Sequence, residues 1–379
     1  MNQLTSLIAA IRMRSSGEIL ATARYFEDQK ISTPQEAIKA GWPSDKIMEI
    51  DPESLVEDLK SLKLSNQGNL ITIKNKGYII AAPSARAIEI IQKNKSFEAS
   101  GQRPTGRMKG KTVVVTGAAQ GFGQGIAEEF FAEGANVVIA DLNDQKGQQL
   151  SDALNNTDCA NRAFFVKSNV ADATSVEELV WRVVDHFGGI DAFISNAGIL
   201  RAGGLDEMDP ETFDLMTKVN YNGFFHCARA AAAIMKIQTE FNPKYFADII
   251  QINSKSGLKG SNKNFAYAGA KFGGIGLTQS FALELMPARI KVNAICPGNF
   301  FEGPLWSDPQ KGLFVQYLHA GKVPGAKTTE DVKKHYESQV PAGRGCRVKD
   351  VVKAIFYAIE QEYETGQAIP VTGGQNMLS

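Results

Sequence analysis

Lys111-Thr112-Val113-Val114-Val115-Thr116-Gly117-Ala118-Ala119-Gln120-Gly121-Phe122-Gly123 is the stretch on which the fold turns. A β-branched run enters a glycine turn, and the turn enters a helical stretch that reaches Glu133-Gly134. Working outward, residues 136–141 are apolar again and 162–170 repeat the strand signal. Further strands are expected at 190–195, 248–253, 290–295 and 368–372, with helices at 174–186, 210–235 and 267–286. Strands apolar on both faces, alternating with helices, mark a parallel sheet covered on both sides. The expected fold class is α/β, a doubly wound Rossmann-like parallel sheet.

The glycine turn also carries chemistry. Glycines let backbone tighten and approach a pyrophosphate, whose charge is favoured by free N–H groups and the dipole at a helix start. Gly117, Gln120, Gly121, Phe122 and Gly123 are therefore candidate dinucleotide contacts, although Ile126 stands where a G-x-G-x-x-G pattern counted from Gly121 would need its third glycine. Asp141 closes the second strand, where a carboxylate would accept from the adenosine ribose diol and repel a 2′-phosphate. NAD is the expected cofactor.

The first hundred residues read differently. Residues 70–73 and 78–81 flank Asn75-Lys76-Gly77 as a β-hairpin, and Pro83-Ser84 caps a helix over 85–92. Helices are also expected at 34–40 and 52–62. No catalytic constellation is visible there, so residues 1–100 read as a small α+β accessory or oligomerisation domain. The polar, Gly- and Pro-containing stretch 96–108 reads as connecting chain, with the linker proper at 101–108 and the catalytic domain at 109–379.

The 379 residues carry 41 Lys plus Arg against 41 Asp plus Glu, so no global field draws the chain to nucleic acid or to an anionic membrane. Any anion recognition must be local. The 4 cysteines form no C-x-x-C pair and the 4 histidines no H-x-x-x-H pattern, so no metal site is expected, and a reducing, cytoplasmic setting fits. The apolar run at residues 7–11 is broken by Arg12 and Arg14 and makes a poor signal peptide. No stretch approaches the roughly 18 apolar residues of a membrane helix.

Ser195-Asn196-Ala197-Gly198 follows a strand, Asn220 lies in a helical stretch, Ser254 follows another strand, and Tyr267 precedes Lys271 by four. With 116–123, these residues resemble the short-chain dehydrogenase/reductase family over about residues 108–379. The resemblance implies hydride transfer with a nicotinamide cofactor. It makes Ser254 the group that hydrogen-bonds the reacting oxygen, Tyr267 the proton-exchanging group, and Asn220 the anchor of a relay water. Lys271 would tune Tyr267 and bind the nicotinamide ribose, while Asn196, Ala197 and Gly198 would line the cofactor site. The side chains themselves support this: a tyrosine of ordinary pKa about 10 needs a nearby cation, and Lys271 at i+4 shares its helical face. A unit charge at ~4 Å in an effective dielectric of ~20 contributes about 4 kcal/mol, or roughly three pKa units. Tyr267 is then expected near neutral pH.

Two departures from the family pattern stand out. Asn169-Val170 occupies a place where Asp is frequent, so adenine recognition would pass through the Asn169 amide oxygen. Asn299 follows Pro297-Gly298 where Thr is common, and it is the expected stand-in near the pyrophosphate. Residues 249–257, 270–280, 339–346 and 371–377 resemble the family's polyol-phosphate dehydrogenases, which implies oxidation of D-sorbitol 6-phosphate to D-fructose 6-phosphate. Lys255, Lys259 and Lys263 are the candidate phosphate contacts, with Arg344 and Arg347 in a later loop. An unphosphorylated polyol or other carbonyl, and a non-catalytic NAD-binding regulator, remain as alternatives. Residues 300–347, with Phe314, Tyr317, His319 and Tyr336, are expected to form a substrate lid. The resemblance further implies a homotetramer or homodimer.

Overall fold

The computed structural model describes residues 3–16, 20–28, 30–50, 59, 68–97, 103–319 and 321–377. The chain opens with α1 (Gln3–Ser15), β1 (Thr22–Glu27), α2 (Pro34–Lys39), β2 (Ile47–Ile50), β3 (Asn69–Ile73), β4 (Gly77–Ala82) and α3 (Ala85–Asn94). The four strands form one sheet in the order β1-β4-β3-β2, in which only β2 and β3 run parallel. The expected hairpin is β3 and β4, with Asn75 in the left-handed region at its tip, and Ser84 caps α3 by accepting from the Ala87 N–H. The helix expected at 52–62 lies outside the described residues apart from Leu59.

The second part alternates strand and helix: β5 (Thr112–Thr116), α4 (Gly121–Ala132), β6 (Asn136–Asp141), α5 (Asp144–Asn155), β7 (Ala163–Lys167), α6 (Ala173–Phe187), β8 (Ala192–Ser195), α7 (Pro210–Thr217), α8 (Gly223–Phe241), β9 (Ala247–Ile252), α9 (Phe265–Leu285), β10 (Ile290–Pro297), α10 (Pro304–Ser307), α11 (Leu313–His319), α12 (Thr329–Ser338), α13 (Val348–Glu360) and β11 (Ala368–Val371). All seven strands are parallel, in the order β11-β10-β9-β8-β5-β6-β7. Strand order reverses between β5 and β8, and such a switch point opens a crevice at the carboxyl ends of the strands. One face is covered by α4 and α13, whose Phe130 and Phe356 rings lie 5.0 Å apart, and the other by α6, α8 and α9. The helix expected over 210–235 is interrupted by a π-turn at Lys218–Asn222, a geometry that often sits at functional sites.

The main difference from the sequence reading is at the front. The broken apolar run is an ordered helix, α1, whose Leu7, Ile8 and Ile11 belong to one continuous core with Val183, Val184 and Phe187 of α6 and Ala231, Ile234 and Met235 of α8. Arg12 does not break this helix's burial, because its charge is answered inside. Its guanidinium donates through Nη1 and Nη2 to the two Asp191 carboxylate oxygens at 3.1 and 2.5 Å, and through Nε to the Ala21 carbonyl oxygen at 2.8 Å. Both side chains are fully buried. Asp191 also accepts from the Thr112 N–H at 2.6 Å and from the Tyr245 hydroxyl. The end of the stretch expected as a linker is packed as well: Met108 is buried, and Arg107 pairs with Glu360 at 2.7 Å. The front module and the parallel sheet share a hydrophobic interior.

Residues 300–347 carry α10, α11 and α12 around a small core of Phe301, Trp306, Phe314, Val332 and Val340, with Trp306 at its hub. The segment leaves and returns at one place, since the Cys346 N–H donates to the Asn299 carbonyl oxygen at 2.8 Å. Among the described residues, no helix is long and apolar enough to cross a membrane.

Candidate active site

The glycine turn sits at the crevice. Gly117 has φ +63°, and a Cβ there would stand 2.8 Å from the Ala197 Cα. A Cβ on Gly123 would fall on the Gly117 carbonyl oxygen, so any larger residue would push the turn out of shape. The Asn196 amide donates to the Thr116 and Gly117 carbonyl oxygens at 2.9 and 3.1 Å. The Thr116 hydroxyl accepts from the Asn196 and Ala197 N–H groups. Asn196 is thus a brace that holds the turn against the end of β8. Helix α4 has Gln120 at its N-cap with no side-chain cap and no acidic residue in its first turn, which leaves its leading N–H groups without a side-chain acceptor. Asp141 stands beside them, its carboxylate oriented by the Ala119 and Asn143 N–H groups, each at 2.9 Å. Uncapped amides with a fixed carboxylate at the next strand end fit a dinucleotide: phosphate on the helix start, ribose hydroxyls on the carboxylate.

The neighbouring candidates are placed less simply. Asn169 uses its amide oxygen to accept the Ala171 N–H at 3.1 Å, so the oxygen expected to meet adenine already serves a turn. Val170 is buried against Gly223. The Phe122 ring stacks on Phe300 at 4.4 Å, which joins the glycine turn to the base of the 300–347 segment. Pro297 ends β10, and the Gly298 N–H donates to the Val371 carbonyl oxygen at 2.9 Å.

The catalytic candidates converge at the ends of β9 and α9. The Ser254 hydroxyl lies close enough to the Tyr267 phenol to lower its pKa, and it accepts from the Ser256 N–H at 3.1 Å. Lys271 is buried, with its Nζ 5.5 Å from the Tyr267 ring centre and donating to the Ile252 carbonyl oxygen at 2.9 Å. Gly198 lies beside it, its absent Cβ 3.8 Å from Nζ and 2.8 Å from the Asn220 amide oxygen.

The structure adds a contact for Asn220 and changes two expectations. Asn220, in the π-turn, spends both amide atoms on one residue, donating to the Ile199 carbonyl oxygen at 2.8 Å and accepting from its N–H at 3.1 Å. Its side chain thereby fixes the loop after β8. Tyr267 is not drawn toward neutral pH by Lys271. Burial pushes its pKa above the ordinary value, and among protein groups the Ser254 hydroxyl pulls it back. Burial also lowers Lys271 to about 8, so its charge is present below that pH and lost above it. Finally, Lys263 is paired with Glu207 at 2.7 Å, Arg344 with Asp350 at 2.6 Å and Arg347 with Glu302 at 3.9 Å, while Lys259 is exposed. Lys255 alone of these basic residues is half-buried without a carboxylate partner among the described residues.

Sequence reasoning passed over Asn253. Its buried amide donates to the Gln251 amide oxygen at 2.8 Å and the Lys271 carbonyl oxygen at 2.9 Å, tying β9 to α9. A Cβ on Gly257 would meet the Lys271 carbonyl oxygen at 3.0 Å, so this glycine lets the Ser254 loop approach α9. Neither carries a local spacing signal.

The short chain dehydrogenase family model matches residues 111–306. Sorbitol-6-phosphate 2-dehydrogenase of Escherichia coli (strain K12) is 36% identical over 270 residues, covering 71% of this chain and 99% of that relative. Sorbitol dehydrogenase of Cereibacter sphaeroides is 32% identical over 273 residues, 72% of this chain and 99% of the relative. The crystal structure of sorbitol-6-phosphate 2-dehydrogenase from Erwinia amylovora superposes with a TM-score of 0.64 at 37% identity, covering 70% of this chain and all of that one. With the glycine cradle and the Ser254, Tyr267 and Lys271 cluster in place, the chain belongs to the short-chain dehydrogenase family.

Proposed function

We propose that the chain transfers a hydride between NAD and a sugar-alcohol phosphate, oxidising D-sorbitol 6-phosphate to D-fructose 6-phosphate. The observation that carries the reaction class is the gathering of Ser254, Tyr267 and buried Lys271 at the strand ends, with Lys271 Nζ 5.5 Å from the Tyr267 ring centre. The substrate rests on the relatives named sorbitol-6-phosphate 2-dehydrogenase. Ser254 orients the substrate hydroxyl, and the deprotonated Tyr267 Oη takes its proton. Gly117, Gln120, Gly121, Phe122 and Gly123 hold the pyrophosphate side of the cofactor site, and Asp141 holds the ribose diol. Asn169, Val170, Asn196, Ala197, Gly198, Pro297, Gly298 and Asn299 line the rest. When bound, the oxidised nicotinamide ring supplies the hydride acceptor and a positive charge near the Tyr267 and Lys271 pair. Turnover of D-sorbitol 6-phosphate beside free sorbitol is the direct test, and the sorbitol dehydrogenase relative makes the free polyol the second reading.

Asp141 makes the cofactor choice measurable. Replacing a carboxylate that repels a 2′-phosphate removes a like-charge cost of several kcal/mol. Asp141→Asn is expected to lower the ratio of kcat/KM for NAD over NADP at least tenfold; an unchanged ratio would remove Asp141 from cofactor selection.

The pKa directions set the pH dependence. Oxidation needs the phenolate, and burial holds Tyr267 above its ordinary value, so kcat/KM for oxidation is expected to climb as pH rises. Lys271 carries its charge only below about 8, under the range in which Tyr267 deprotonates. Lys271→Met should therefore leave the climb where it is, and a shift of the climb to higher pH would show that the Lys271 charge favours the phenolate.

A further inference from the structure

We propose that Lys255, together with Gln375 and Asn376 of the C-terminal tail, forms an anion-binding subsite that receives the substrate phosphate and so selects phosphorylated polyols. The inference rests on the polyol-phosphate reading above. Its geometry starts from the sheet. Strands β9, β10 and β11 are neighbours, and Lys255, Gly298 and Gln375 follow their carboxyl ends. This is the rim that carries Ser254 and Tyr267. The glycine turn and Asp141 follow β5 and β6, on the other side of the switch point. A substrate reacting at Ser254 can therefore extend toward Lys255 without crossing the cofactor half.

The tail is tied to Lys255 from two directions. The Asn376 amide donates to the Lys255 carbonyl oxygen at 3.0 Å, and Lys255 Nζ donates to the Gln375 amide oxygen at 3.3 Å. The tail itself is turned by Gly373 and Gly374, both in the left-handed region at φ +61° and +89°. It is then fastened by the Thr372 hydroxyl, which donates to the Asn376 carbonyl oxygen at 3.0 Å and accepts from its N–H at 3.3 Å. The Gln375 amide oxygen lies 3.4 Å from the position a Cβ would take on Gly298, which seats the tail at the end of β10. Lys255 is thereby held in a built corner rather than on a free loop.

The chemistry of that corner is incomplete. An ammonium carries three N–H donors, and the single side-chain partner seen for this one is a neutral amide oxygen. Burial holds its pKa below the ordinary lysine value, with no carboxylate among the described residues raising it. The other basic candidates differ: Lys263, Arg344 and Arg347 each face an acidic side chain of this chain. A half-buried cation with no anionic partner among the described residues, next to the serine that holds the reacting oxygen, is matched by an anion that arrives with the substrate. The Gln375 and Asn376 amides offer neutral polar groups that fit around a phosphate without opposing its charge.

The experiment measures kcat/KM for D-sorbitol 6-phosphate and for sorbitol, and competitive inhibition by inorganic phosphate, in the full chain and in two variants. Lys255→Met removes the cation. Gln375→Glu keeps Lys255 and its packing but sets a carboxylate against it, so a folding defect in the first variant does not end the test. Both are expected to lower the phosphorylated-to-free ratio at least tenfold and to weaken phosphate inhibition by a similar factor. A wild-type enzyme that prefers the phosphorylated substrate, with the ratio and the inhibition retained in both variants, would overturn the subsite and leave the proposed reaction standing. A wild-type enzyme without that preference would overturn the polyol-phosphate reading. If its inhibition by inorganic phosphate still disappeared in Lys255→Met, the anion subsite would stand on its own; if the wild type showed no inhibition either, the subsite would fall with the reading.

Discussion

Tyr267→Phe is expected to lower kcat about 10²- to 10⁴-fold while the chain keeps its fold, because a positioned proton-transfer group contributes a factor of that order. The phenol lies beside Ser254, and the substitution removes one oxygen from a site whose ring packing stays available. Stopped-flow or steady-state NADH formation gives the rate, and circular dichroism checks the fold. Turnover within tenfold of wild type would take the proton-transfer role away from Tyr267. Ser254→Ala tests the same cluster from the serine side, and its loss should fall mainly in kcat if Ser254 orients the reacting oxygen.

The second large effect lies far from the chemistry. Arg12→Met should destabilise the chain by about 3–5 kcal/mol, the range seen when one partner of a buried ion pair is removed and the other is left uncompensated. Here the abandoned group is Asp191, at the entry to β8, which also orients the Thr112 N–H at the start of β5. Arg12 and its hydrogen bonds hold Asp191 below the usual carboxylate range against the opposing effect of burial. The sign follows: the stabilisation is in place above an unfolded carboxylate pKa of about 3.9 and is lost as pH falls below it. Urea unfolding of wild type and Arg12→Met at neutral pH measures the cost, and a difference below about 1 kcal/mol would show the pair to be energetically idle. In Arg12→Met with Asp191→Leu, part of the loss should return, since an apolar pair avoids the orphaned charge. A fragment beginning near Arg107 is expected to aggregate, because it bares the α6 and α8 surfaces that Leu7, Ile8 and Ile11 cover.

These two sites show what was legible in the sequence. The glycine turn, Asp141, Ser254, Tyr267 and Lys271 could be read because their chemistry demands particular residue types at short spacings on a strand, a turn or one helix face. The alternation of apolar runs with helical stretches likewise specified the parallel sheet. Arg12 could not be read. Its partner is 179 positions away, and a basic residue in a short apolar run looks the same whether it meets water or a buried carboxylate. The same holds for Asn253, whose brace reaches across to α9, and for the π-turn around Asn220, where propensity reads straight through. The lysine run could be sorted only in part for a related reason. Spacing placed Lys255, Lys259 and Lys263 near Ser254, while only the folded chain shows Glu207 neutralising Lys263 and leaves Lys255 facing an amide. Charge pairing across the fold decides which cation remains available for a ligand.

The central claim is tested most directly by incubating the full chain with NAD and D-sorbitol 6-phosphate and identifying both products. The account predicts NADH and D-fructose 6-phosphate in equal amounts, formed with a higher kcat/KM than the products of free sorbitol. No NADH from D-sorbitol 6-phosphate, or free sorbitol oxidised with the higher kcat/KM, would contradict it.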